Sequence, residues 1–146
     1  MSKRLVAAAA IALALAGGGR ADVISDRIAA IPGAVEDVRI GGTWDSGDRS
    51  GVFRIVVSRH GGDVVTARLF VQWVAYHADG TATVEDSIEI VEFGDLAVDV
   101  DDYTSESDID GLSVFVRTID PNGSNDLTYE LFVFSPSEYR FGPASN

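Results

Sequence analysis

From Glu36 onward the chain runs in short β-branched and aromatic stretches, each closed by a cluster of Gly, Asn, Asp or Ser, and this spacing favours strands over helices. In Val52 to Arg59 the odd positions Phe53, Ile55 and Val57 are apolar while Arg54 and Ser58 break the other face, as in a half-buried strand. Val64 to His77 is apolar on both faces, with Leu69, Val71, Trp73 and Ala75 in one phase and Phe70, Val74 and Tyr76 in the other, so a central strand is predicted. Thr83 to Phe93 changes phase after Ile90, which predicts a bulge there or a strand that passes between sheets. Leu96, Val98 and Val100 alternate with Asp95, Asp99 and Asp101. Leu112 to Ile119 and Leu127 to Phe134 flank the turn-forming stretch Asp120 to Asp126 and are predicted to pair as a hairpin. The fold class is therefore all-β: a single antiparallel β-sandwich or small β-barrel of six to eight strands, between which the sequence does not choose.

The N-terminus has a different grammar. Lys3 and Arg4 precede an unbroken apolar run, Leu5 to Ala16, and Gly19 and Ala21 place small residues at −3 and −1 of a cut before Asp22. Residues 1–21 read as a Sec-type bacterial signal peptide, with export to the periplasm or medium the expected outcome. Twelve apolar residues are too few to span a bilayer, which takes roughly 20, and no later stretch is longer, so no transmembrane anchor is expected in the mature chain. Residues 22–35 are expected to form an arm or a short helix, with Ser25 a possible cap and Pro32-Gly33 a stop. Residues 36–146 form the all-β domain.

All 23 acids lie after that cut, whereas Lys3, Arg4 and Arg20 lie before it, leaving eight basic residues and a net charge of −15. The mature chain holds no lysine. Such a balance disfavours nucleic acid and anionic membranes, which are bound through basic patches, and suits a basic protein partner, calcium or an acidic surface kept for solubility. The absence of cysteine excludes a lipoprotein anchor, disulfides, thiolate catalysis and zinc–thiolate sites.

The densest acidic stretch supplies Asp99, Asp101, Asp102, Asp108 and Asp110, and the turn after it supplies Asp120, Asn122 and Asp126. These are the oxygen donors a calcium ion would draw on. The spacing is not that of an EF-hand: counting from Asp99, Tyr103 falls where the third acid belongs and Thr104 where the glycine belongs. A solvated acidic loop is the simpler reading of the first stretch and a hairpin turn of the second. His60 and His77 are the only histidines, both at predicted strand ends. No G-x-S-x-G, H-E-x-x-H, Walker or dinucleotide motif occurs, so no catalytic or cofactor-binding residue is assigned.

Two features stand out as binding-surface candidates. Arg54, Arg68 and Arg117 each interrupt an apolar strand and must reach solvent or pair with a carboxylate across the sheet. Trp44, in Gly42-Thr43-Trp44 ahead of Ser50-Gly51-Val52-Phe53, resembles the glycine-x-tryptophan opening strand of lipocalin- and avidin-like barrels. That resemblance implies a barrel binding a small apolar ligand, lined by Trp44, Phe53, Phe70 and Trp73; otherwise these aromatics fill a core. The functional expectation is a non-enzymatic, exported protein-binding module whose partner the sequence does not identify, a basic protein being one class its charge would suit. The alternatives are a small-ligand barrel and a carboxylate-based hydrolase of cell-wall or polysaccharide material.

Overall fold

The computed structural model describes residues 23–123 and 127–145, so residues 1–21, read above as a signal peptide, and Asp126 lie outside the described residues. The chain divides into a first unit ending at Ile31 and a second beginning at Pro32. In the first, α1 (Val23–Ala29) starts ahead of Ser25, which therefore sits inside the first turn and not at its cap.

The second unit is built of two antiparallel four-stranded sheets. The first has the order β1 (Val35–Ser46), β2 (Arg49–Gly61), β3 (Val65–Tyr76), β4 (Ala82–Glu89), and the second β5 (Asp99–Asp108), β6 (Gly111–Ile119), β7 (Thr128–Ser135), β8 (Glu138–Pro143). Both are simple meanders, and a single helical turn, α2 (Val91–Asp95), links them. The barrel alternative is corrected: the sheets do not close. Where β1 passes β5, the contact is made by side chains, with the Thr43 amide donating to Ser107 Oγ (2.9 Å) and Arg39 donating to Asp102 (2.9 Å) and to the Tyr103 carbonyl (3.3 Å).

The inward faces of both sheets share one core. Phe53, Ile55, Val57, Leu69, Val71 and Trp73 from the first sheet meet Tyr103, Leu112, Val114, Val116, Leu131 and Val133 from the second. The period-2 patterns of β2, β3, β6 and β7 produce this directly, since alternate side chains project to opposite faces. β3 is interior to its sheet, as its two apolar faces imply, with Val74 buried on the outer side.

Two local readings are corrected. Residues 90–95 do not extend the preceding strand: the chain leaves β4 at Glu89 and turns helically, placing Ile90 and Phe93 three residues apart and both fully buried. The apparent change of strand phase was this single turn. The bulge lies earlier, between Trp73 and Val74 of β3 and their partners Asp86 and Val84 of β4. The acidic stretch from Asp99 is likewise strand β5 and not a loop. It tolerates its charge because it is an edge strand, where carboxylates remain solvated and discourage pairing with another chain.

Ion pairs tie the surface together. Arg68 hydrogen-bonds Glu89 and holds its carboxyl below the usual glutamate range, and Arg39 does the same to Asp102. Such carboxylates add stability that is complete above their ordinary values, 4.5 for Glu and 3.8 for Asp, and is lost as pH falls through the lowered folded values. Protonation of unpaired surface acids relieves self-repulsion over the same range, so the wild-type melt alone mixes two effects. Glu89→Gln is therefore expected to show a smaller acid-induced fall in melting midpoint than wild type between about pH 5 and pH 3. Parallel thermal melts read the difference.

Candidate functional site

In a meander every second turn falls at the same end. The β1–β2, β3–β4, β5–β6 and β7–β8 turns therefore gather at one end of the domain. Three are two-residue hairpins. Gly47-Asp48 closes β1–β2 with positive φ (67°) at the first position only, the type II′ signature. Ile109-Asp110 closes β5–β6, where Asp108 Oδ1 accepts from the amides of Asp110 (2.8 Å) and Gly111 (3.2 Å). Pro136-Ser137 closes β7–β8, with Ser135 Oγ accepting from the Ser137 amide (3.3 Å).

Between these turns lies a cleft of about 770 Å³. Its floor is aromatic: Phe53 and Trp73 meet edge to face with centroids 5.6 Å apart, and Trp44 is fixed by its indole N–H donating to the Val52 carbonyl (3.1 Å). All three are nearly buried, so they offer the cleft an edge and not a full face. Tyr76 and Phe134, about half exposed, stand at its sides, and Ile109 is 99% exposed at a hairpin tip that also borders it. The acids around it are Asp45, Glu85, Asp86, Asp108 and Asp110, against a single cation, Arg49, which Glu85 holds at 2.6 Å. Among the described residues Asp45, Asp86 and Asp110 have no ion-pair partner.

Of the residues singled out in the sequence, the structure brings Trp44 and Trp73 together here and leaves the arginines elsewhere. Arg54 points outward and donates to Gln72 Oε1 (2.8 Å), while Gln72 Nε2 donates to Ser87 Oγ (3.1 Å). Arg68 pairs with Glu89 and Arg117 with Asp101. Phe70 lies outside as well, with the Arg68 guanidinium 5.3 Å from its ring centroid, so the four aromatics proposed to line a barrel do not share an interior.

The oxygen donors considered for calcium are dispersed along β5 and two turns. Asp99 lies 3.9 Å from Arg59, Asp101 and Asp102 bind different arginines, Asp108 caps its own hairpin, and Asp120 accepts from the Asn122 amide (2.8 Å). Among the described residues no group of three His, Asp or Glu is placed to hold a metal ion. His60, bonded to Ser58 Oγ at 2.8 Å, and His77, bonded to Thr83 Oγ1 at 2.9 Å, sit at opposite ends of the β2–β3 pair, roughly 35 Å apart by strand rise. Asp120 and Asn122 border a smaller recess of about 340 Å³ at the other end of the domain.

Sequence reasoning missed Asp45, Tyr76, Asp86, Ile109 and Phe134. Most of them flank Gly-, Asp- or Ser-rich turns, and that signal becomes useful once the meander shows which turns share an end.

Fold and cleft together define the class: an all-β domain of two meander sheets carrying an acidic, aromatic-floored cleft at one end. Comparison with protein-family models, curated proteins and solved structures gives no match.

Proposed function

We propose that this chain is an exported, non-enzymatic protein-binding module whose working surface is the turn-bounded cleft. The observation that supports this most is the pairing of an aromatic floor with three carboxylates, Asp45, Asp86 and Asp110, that have no ion-pair partner among the described residues. Aromatic anchors in a recess, ringed by polar groups, are the usual makings of a recognition hot spot. Unpaired like charges crowded at one end repel one another, a cost that an oppositely charged partner would relieve. The partner class that fits is a basic protein. Export rests on the composition of residues 1–21 and belongs to the same proposal.

The cleft volume favours a second reading, since pockets for small molecules span roughly 300–1,000 Å³. Affinity capture from a periplasmic extract distinguishes the two. The immobilised chain from Asp22 is compared with Tyr76→Ala/Phe134→Ala and with a distant-face variant, Val56→Ala/Phe70→Ala. The protein-binding reading expects a protein retained by wild type and by the distant-face variant and lost from the cleft variant. Equal retention by all three contradicts it, as does retention of none.

A further inference from the structure

We infer that the cleft receives a guanidinium, and that its occupant is an arginine-bearing segment of a partner protein. The inference rests on the binding-module reading and specifies what that site recognises.

The whole domain is acidic, and at the cleft that excess surrounds a recess. Elsewhere four arginines are each held by carboxylates: Arg39 by Asp37 and Asp102, Arg59 by Glu36, Arg68 by Glu89, and Arg117 by Asp101. At the cleft the ratio is five carboxylates to one arginine, and that arginine is already held by Glu85. Asp45 lies at the end of β1, Asp86 on edge strand β4 and Asp110 in the β5–β6 turn, so the unmatched charge comes from both sheets around one recess. A cation entering there meets carboxylates from several sides, where the low-dielectric floor strengthens the attraction.

The aromatic walls favour guanidinium over ammonium. A guanidinium is planar and weakly hydrated, and it stacks on a ring while donating sideways to carboxylates, whereas an ammonium holds its water shell more strongly. This chain already sets a guanidinium over a ring three times, twice with a carboxylate alongside: Arg39, bound to Asp102, lies 4.4 Å from the Tyr103 centroid, Arg68, bound to Glu89, 5.3 Å from Phe70, and Arg140 5.5 Å from Phe134. The last ring is itself a wall of the cleft, and with Tyr76 it keeps about half its surface exposed. The volume exceeds what one side chain fills, which suits a segment of chain carrying arginine.

The two tryptophans of the chain both border the cleft, so intrinsic fluorescence reports its occupancy. The test titrates the chain from Asp22 with blocked penta-arginine, penta-lysine and penta-citrulline, the last a neutral isostere of arginine. Two charge-matched variants accompany wild type: Asp86→Asn/Asp110→Asn at the cleft, and Asp63→Asn/Asp95→Asn at the opposite end of the sheets. Saturable binding of penta-arginine is expected, about threefold or more tighter than penta-lysine, with no response to penta-citrulline. The cleft pair is expected to weaken it by about tenfold and the distant pair by no more than about twofold. Circular dichroism melts confirm that both variants remain folded. No saturable tryptophan response overturns the inference, as do equal affinities for arginine and lysine peptides or equal losses in the two variants. If the peptide fails while extract capture still depends on Tyr76 and Phe134, the arginine assignment falls and the binding-module reading stands.

Discussion

Replacing Phe93 with alanine is expected to destabilise the domain by about 3–5 kcal/mol, a large part of the 5–15 kcal/mol typical of a single domain. Phe93 is fully buried although α2, which carries it, is only five residues long. Its ring meets Phe141 of β8 edge to face, with centroids 6.0 Å apart. The Tyr139 hydroxyl of the same strand donates to Glu92 Oε2 (2.7 Å), and the Ile90 amide donates to the Leu69 carbonyl of β3 (2.9 Å). The turn therefore plugs the flank between the first sheet and β8, where no ladder joins the sheets. Truncation leaves a void that the rigid strands cannot close, so transfer and cavity terms add. Val91→Ala, on the exposed side of the same turn, is expected to cost less than about 0.5 kcal/mol. Urea unfolding measures both, and equal effects would mean that α2 is not a plug.

Gly51→Ala carries the second large effect, about 3 kcal/mol, by a different mechanism. A Cβ at Gly51 would lie 1.9 Å from the Val74 carbonyl oxygen and 3.0 Å from the Ala75 Cα, both backbone atoms of β3. No rotamer relieves that contact, so β2 must move off β3. Gly51 pairs with Trp44 on one side and Ala75 on the other, and the movement would carry the cleft floor with it. A lower urea midpoint together with a reduced near-ultraviolet tryptophan signal is the expected outcome. A fall of less than about 1 kcal/mol would mean that the strands sit further apart than described.

How much of this the sequence disclosed depended on whether local patterning decided the outcome. β2, β3 and the β6–β7 hairpin were legible because their alternation of Phe53, Ile55 and Val57, or of Leu69, Val71 and Trp73, is the burial pattern itself. α2 was not, because Ile90 and Phe93 at helical spacing within six residues look the same as a strand that slips phase. β5 was not, because its inward face contributes only one large buried side chain, Tyr103, among Asp, Glu and Ser, and its strand state is set by pairing with β6. Open sheets against a closed barrel turned on the β1–β5 flank, where Ser107 Oγ takes the Thr43 amide; nothing local to either segment announces that contact. At the site, Trp73 was visible in the phase of Leu69 and Val71, and Trp44 through its Gly42-Thr43-Trp44 setting. Tyr76, Asp86 and Phe134 became meaningful only through topology, which brings turns far apart in sequence to one end.

The central claim, that a cleft walled by unpaired carboxylates lies over both tryptophans, is tested most directly by charge-selective fluorescence quenching. Caesium and iodide are compared at matched ionic strength, each normalised to its quenching of free N-acetyltryptophanamide. Caesium is expected to quench the folded chain several times more effectively than iodide, because carboxylates concentrate cations at the floor. Asp86→Asn/Asp110→Asn should largely remove that preference and Asp63→Asn/Asp95→Asn should leave it. Equal quenching by the two ions, or equal behaviour of the two variants, would contradict the claim.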